Sequence, residues 1–215
     1  MIATTTNMVF AEASDPAALE EALVAYIRSI APLSDAEIRM VRTYSPIHTV
    51  PKGTFLLKEG QVASHCYFIL KGCVREYHLK DGEEKTTNFH TEGDTVTSAV
   101  SYIQRTPAKH FLECLEDTTM TALSYENELE LNRRFPRLES ICRQKVEEKM
   151  GIYQEMVAQY MSSTPEERYL HLLENRPDLF DRVPQYHIAS YIGVKPESLS
   201  RIRNRIRSGV WANQA

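Results

Sequence analysis

Three textures follow one another along the chain. Between residues 16 and 43, apolar positions recur at helical spacing: Leu19, Leu23, Tyr26, Ile27 and Ile30. That spacing predicts helix, and Ser34 ahead of Asp35-Ala36-Glu37 has the form of an N-cap with Glu37 at the third helical position. Residues 1–14 are small and polar without a period, which predicts a loose arm, drawn as residues 1–18.

From Ser45 the segments shorten. Ile47–Val50, Thr54–Leu57, Tyr67–Leu70, Val74–Leu79 and Lys85–Phe89 are rich in β-branched and aromatic residues, and Phe111–Leu115 and Thr119–Ser124 continue the series. Turn signals such as Pro51-Lys52-Gly53, Lys80-Asp81-Gly82 and Glu92-Gly93-Asp94 separate them. Five of the eight glycines lie between 53 and 93, so they punctuate strands there. Many short strands closed by glycine turns predict a small antiparallel β-roll of jelly-roll type. The fold class expected is α+β.

Beyond Pro136 the period lengthens again. Cys142, Val146, Met150, Tyr153, Val157 and Tyr160 step by four, four, three, four and three, a narrow apolar stripe on a long helix. Such a stripe lies either on its own domain or against a second helix. A single narrow seam with charges elsewhere favours a dimer contact. Ser162-Ser163 breaks the pattern, and Thr164-Pro165-Glu166-Glu167 restarts it as a capping box with Pro at the first helical position. The domains expected are therefore a roll over 19–130, a dimerisation helix and hinge over 131–163, and a small C-terminal domain over 164–215.

Composition changes this picture little. The chain has 215 residues, 42% apolar and 25% charged, enough to bury a core without disulfides. Cys66, Cys73, Cys114 and Cys142 form no C-x-x-C pair and read as buried hydrophobes rather than cluster ligands. The first 27 residues carry no Lys or Arg and no run approaches 18 apolar residues, so neither a secretory signal nor a membrane span is expected, and the protein reads as cytoplasmic. Seven scattered histidines contain no H-x-H or H-x-x-x-H pair, and no P-loop, GxGxxG or GxSxG occurs. No metal, cofactor or enzyme chemistry is expected, although a cupin-like metal enzyme is the reading that a β-roll leaves open.

Charge matters more. The net charge is −4, yet residues 184–208 carry Lys195, Arg201, Arg203, Arg205 and Arg207 against Glu197, a net of +4. The rest of the chain is then −8, the asymmetry of a basic reader on an acidic body. Residues 185–206 have the offsets of a helix-turn-helix: Ala189 where two helices cross, Gly193 at the turn, and Ile188, Ile192, Val194, Leu199 and Ile202 as its apolar frame. Pro196 opens the second helix. Leu199, Ile202 and Ile206 should face the core. Glu197, Arg201 and Arg205, four apart, share another face with Ser198 at its edge. An exposed Glu one turn before an Arg suits cytosine N4 and guanine O6/N7 in the major groove. Lys195, Arg203 and Arg207 suit phosphates.

A glycine-punctuated roll, a long helix and this C-terminal segment together resemble the Crp/Fnr family of bacterial transcription regulators over about residues 19–208. IGVKPESLSRI is the most specific stretch. The resemblance implies a homodimer with a winged helix-turn-helix on double-stranded DNA with palindromic half-sites, leaves room for RNA polymerase as a further partner, and gives Glu197 and Arg201 base-reading roles. It also implies an effector site. The Gly-Glu and Arg-Ser pairs of members that bind cyclic AMP fall here on Thr97-Ser98 and Ala108-Lys109, with Arg105 nearby. Neither pair is kept. Thr97, Ser98, Arg105 and Lys109 are the candidate effector residues, and cyclic AMP is not the expected effector. The reading left beside the regulator is a ligand-binding module acting on a protein partner.

Overall fold

The computed structural model describes residues 15–30 and 32–208; residues 1–14 of the expected arm lie outside them. The N-terminal helices are α1 (Pro16–Ile30) and α2 (Asp35–Tyr44). Ser34 caps α2 as its sequence predicts. Its hydroxyl accepts from the Glu37 amide at 3.4 Å, and its own amide donates to Glu37 Oε2 at 2.8 Å. The Ser34 hydroxyl donating to Glu37 Oε2 at 2.7 Å, then the Ser34 amide, with Arg137 beside them, hold the Glu37 carboxyl below its ordinary range.

Eight strands follow: β1 (Ile47–Val50), β2 (Phe55–Leu57), β3 (His65–Lys71), β4 (Val74–Lys80), β5 (Glu83–His90), β6 (Thr95–Val96), β7 (Phe111–Cys114) and β8 (Thr118–Ser124). They form two four-stranded sheets in the orders β1-β8-β3-β6 and β2-β7-β4-β5. β8 pairs antiparallel with β1, Ile47 opposite Thr121, and with β3, Tyr67 opposite Ala122. The expected roll is thus present. Its boundaries differ from the sequence reading by a residue or two in either direction, and two elements went unforeseen: β6, which is too short to show a period, and helix α3 (Ala99–Gln104).

Alternation along β3 explains the roll's core. Ile69 turns inward, where it packs with Leu57, Val74, Val96, Leu112 and Met120 from both sheets. Leu70 turns outward beneath Leu19, Leu23, Ile27 and Ile38 of the two helices. Phe68, on the same face as Leu70, stacks on Tyr26 at 4.9 Å between centroids. A strand buried on both faces reads as a continuous apolar run.

Two helices rather than one leave the roll. α4 (Tyr125–Arg134) ends at Phe135, and Pro136 starts α5 (Pro136–Ser162). The residue before a proline resists helical geometry, so the break falls there. Then come α6 (Pro165–Asn175), the short α7 (Leu179–Arg182), α8 (Gln185–Ile192) and α9 (Pro196–Arg207). Described residues 164–208 contain no strand, so any wing after α9 falls outside the described residues. The chain divides into two compact units. One reaches to Glu76 and resumes over Phe89–Met150; the other joins Tyr77–Asn88 to the chain from Gly151 onward. No helix of the described residues is long and apolar enough to cross a membrane.

The cysteine expectation needs correction. Cys73 and Cys114 are buried, but Cys66 is half-buried and Cys142 is exposed. Burial still pushes the Cys66 thiol up to about 12 and Cys114 up to about 11, which keeps both as unreactive thiols near neutral pH.

Gly72 joins β3 to β4 with φ +120°, and a Cβ there would lie 2.6 Å from Thr118 Oγ1 and 2.7 Å from Thr118 Cα. Because backbone cannot yield as a side chain tip can, Gly72→Ala should cost roughly 2 kcal/mol or more. Gly151, inside α5, meets nothing within 4 Å. Gly151→Ala should instead stabilise by about 0.5–1 kcal/mol. Thermal melting of the two variants checks the contrast: one midpoint should fall by several degrees and the other rise.

Candidate nucleic-acid interface

The C-terminal helices surround a small core of their own. Ile188, Ala189 and Ile192 of α8 are fully buried, and Leu199 and Ile202 of α9 nearly so. Tyr169 and Leu172 of α6 and Leu179 of α7 complete it. The turn after α8 follows from Gly193, whose φ of +80° is left-handed. The Gly193 and Val194 amides close the helix onto the carbonyls of Ser190 at 3.2 Å and Ala189 at 2.9 Å. A Cβ at Gly193 would also sit 2.9 Å from Tyr160 Oη and 3.1 Å from Arg168 Nη1. The left-handed φ is what favours glycine here, and a Cβ would in addition push on the tips of Tyr160 and Arg168.

Arg168, on α6, was not singled out by the sequence. Its Nη1 donates to the Ile192 carbonyl at 2.8 Å, its Nε and Nη2 to the Ser163 carbonyl at 3.2 and 3.0 Å, and its guanidinium lies 4.0 Å over the Tyr160 ring. One side chain thus joins the end of α5, the hinge and the end of α8. Its partners are mostly backbone carbonyls, which leave no trace in residue types. The hinge itself is capped as expected: Thr164 Oγ1 accepts from the Glu167 amide at 3.3 Å, and the Thr164 amide donates to Glu167 Oε2 at 2.7 Å. The Thr164 amide and then its hydroxyl, which donates to the same Oε2 at 2.9 Å, hold the Glu167 carboxyl below its ordinary range.

α9 begins with Lys195 at its N-cap, without a side-chain cap, and Pro196 at the first helical position. Leu199 and Ile202 face inward as predicted, while Ile206 is only half-buried. Glu197 and Arg201 are exposed one turn apart, and neither makes an ion pair or side-chain hydrogen bond among the described residues. Ser198 is half-buried at the edge of that face. Lys195 and Arg207 are exposed at the two ends.

Two of the predicted contacts are differently engaged. Arg205, expected in line with Glu197 and Arg201, is ion-paired to Glu166 of α6. Arg203, expected at a phosphate, donates to Gln185 Oε1 of α8 at 2.8 Å. Both bind α9 to its neighbours, because the helix turns them toward groups far away in sequence.

The effector candidates lie around α3, and two are used internally. Thr97 Oγ1 donates to the His65 carbonyl at 3.0 Å. Ser98 is buried at the N-cap of α3. Arg105 ends α3 with a left-handed φ of +54°, donates to the Ala63 carbonyl at 2.7 Å and lies 4.7 Å over the Tyr125 ring. Lys109 is exposed. A further charge escaped the sequence reading: Arg75 of β4 is 1% exposed, with Glu113 of β7 at 3.9 Å. No sequence signal marked it, since alternation would turn the residue after Val74 to the other face.

On α5, the stripe is uncovered in the single chain. Val146, Met150 and Val157 are 65, 61 and 53% exposed. Tyr153 and Tyr160 are less so, because Tyr153 Oη accepts from Asn88 at 3.1 Å and Tyr160 carries Arg168.

Comparison with known proteins agrees with this arrangement. Residues 47–135 match the cyclic nucleotide-binding domain family. The fumarate and nitrate reduction regulatory protein of Vibrio cholerae is 25% identical over 170 residues, 74% of this chain and 67% of that protein. The transcriptional activator protein Anr of Pseudomonas protegens is 24% identical over 168 residues, 73% and 68% of the two chains. In fold, the c-di-GMP responsive global regulator CLP of Xanthomonas campestris is similar with a TM-score of 0.64 at 16% identity, over 82% of this chain and 93% of that one. A match to the cyclic nucleotide-binding domain over residues 47–135, with likeness to curated transcription regulators over about three quarters of the chain, supports a regulator of the Crp/Fnr kind.

Proposed function

We propose that this DNA-binding transcription regulator acts as a homodimer, with α9 in the major groove, the α5 stripe as its two-fold seam and the β-roll as its sensing domain. The observation that carries the reading is the exposed Glu197/Arg201 pair on a helix whose opposite face is buried. A carboxylate and a guanidinium one turn apart, unspent among the described residues, can accept from cytosine and donate bidentately to guanine. Lys195 and Arg207 take phosphates, while Arg203 and Arg205 hold α9 in place. Two copies of α9 related by a two-fold axis read palindromic half-sites, with RNA polymerase as a further partner of the bound dimer. The boundaries of these roles follow the expected domains: roll 19–130, helix and hinge 131–163, reader 164–215.

The effector is proposed to be other than cyclic AMP. A buried phosphate needs a paired cation, and the Arg105 guanidinium is already held by Ala63 and Tyr125. Calorimetric titration with cyclic AMP should give no binding at micromolar concentration; saturable binding there would reject this.

Selection of bound sites from random DNA should return a palindrome with half-site centres about 34–36 Å apart. On that site, Arg201→Ala should cost about 1–3 kcal/mol and relax preference at one base pair per half-site. Arg207→Ala should weaken all sequences alike and lower the salt slope by about one. Competition on single-base variants decides between them. Equal losses on every variant for Arg201→Ala would make it a phosphate anchor.

Light scattering tests the seam. The wild type should be a dimer at micromolar concentration. Val146→Glu with Val157→Glu, both exposed in the single chain, should give folded monomers, because facing carboxylates would be desolvated together. A wild-type monomer at that concentration would remove the seam.

A further inference from the structure

The second unit contains the tip of the β4–β5 hairpin, and that tip is bonded to the helix-turn-helix. Strands β4 and β5 are joined by two residues, Asp81 and Gly82, with φ of +54° and +78°. Both left-handed values together suit the tight turn of a two-residue hairpin. β5 ends the strand order of its sheet, so one side of its backbone has no neighbouring strand.

Ser190 of α8 occupies part of that side. Its Oγ accepts from the Thr86 amide at 2.9 Å and donates to the Glu84 carbonyl at 2.8 Å. Residues i and i+2 of a strand present their backbone groups to the same side. One hydroxyl, acting as donor and acceptor at once, therefore replaces a residue of a missing strand. An open strand edge is usually guarded in this manner, but here the guard belongs to the first helix of the DNA reader. Ser190 lies three residues before Gly193 and five before Lys195, at the end of α8 that feeds the recognition helix. The hairpin brings carboxylates there: Asp81, Glu83 and Glu84. Glu83 pairs with Lys85, and Lys195 adds to holding its carboxyl below the ordinary range.

In a helix-turn-helix on DNA the first helix crosses the phosphate backbone. Carboxylates held beside it repel that backbone and compete for Lys195. Resting on the reading of α9 as the DNA-reading helix, we propose that the β4–β5 hairpin tip is an autoinhibitory latch. Ser190 holds it on the helix-turn-helix, and DNA binds at full affinity only when these two bonds open.

The test compares wild type, Ser190→Ala and Ser190→Thr on the site selected from random DNA. Removing the hydroxyl while leaving the acidic tip should free the latch and tighten binding about five- to tenfold, the scale of two modest hydrogen bonds. Ser190→Thr keeps the hydroxyl and should bind as wild type does. Hydrogen exchange supplies a readout that needs no variant: the Thr86 amide should be protected in the free protein and exchange at least tenfold faster on DNA. Equal or weaker binding by Ser190→Ala, or a Thr86 amide as protected on DNA as off it, would overturn the latch. Failure of every form to bind any DNA would overturn the DNA reading itself, and the inhibitory role with it; the exchange of Thr86 in the free protein distinguishes that outcome from failure of the latch alone.

Discussion

The C-terminal helices depend on where one guanidinium is held. Arg168 ties the Ser163 and Ile192 carbonyls and covers the Tyr160 ring. All three partners lie at or just beyond helix ends: the last turn of α5, the hinge, and the last turn of α8. Helix C-termini leave carbonyls unsatisfied and carry partial negative charge. A planar cation with donors at fixed angles meets two such ends at once, which a lysine cannot do. The glycine at the turn is a consequence as much as a cause, since any Cβ at Gly193 would crowd both Tyr160 and Arg168. α9 follows immediately, so the orientation of Glu197 and Arg201 derives from this junction.

A division of labour among the basic residues follows. Five cations in 184–208 look alike in composition. In the fold, Arg203 and Arg205 bind Gln185 and Glu166, and leave Arg201, Arg207 and Lys195 for solvent. The acidic partner Glu166 stands at the start of α6, where a carboxylate also suits the helix dipole. The reader thus spends two positive charges on its own integrity.

What was legible in the sequence was local. Gly193, Ala189 and the apolar frame of the helix-turn-helix sit at fixed offsets within one window, so their spacing carries their geometry. The strands of the roll show for the same reason, each bounded by its own turn. The two capping boxes, at Ser34 and Thr164, are complete within four residues. What did not show was contact between distant segments. Arg168, Glu166 and Gln185 gain their roles from folding, and nothing near them in sequence announces it. Arg75 looked like any charge on a strand, though the roll encloses it. β6 spans two residues, too few to show a period, and α4 shows little apolar stripe of its own, with Leu131 its buried residue. The stripe on α5 was visible, but the bonds of Tyr153 and Tyr160 within the chain were not.

The pairing of β1 with β8 sets an order of events during synthesis. Ile47 must find Thr121, more than seventy residues later, before the first sheet can close. Until β8 leaves the ribosome, β1 and β3 expose edges that should lie on either side of it. Contacts of such separation form slowly and leave unpaired edges open to other chains. The helices after Thr164 need only near neighbours: α8 with α9, α6 with α8. They can form as soon as they emerge. The nascent chain therefore carries unpaired roll edges through more than seventy residues of synthesis, whereas the C-terminal helices meet their near neighbours as they emerge.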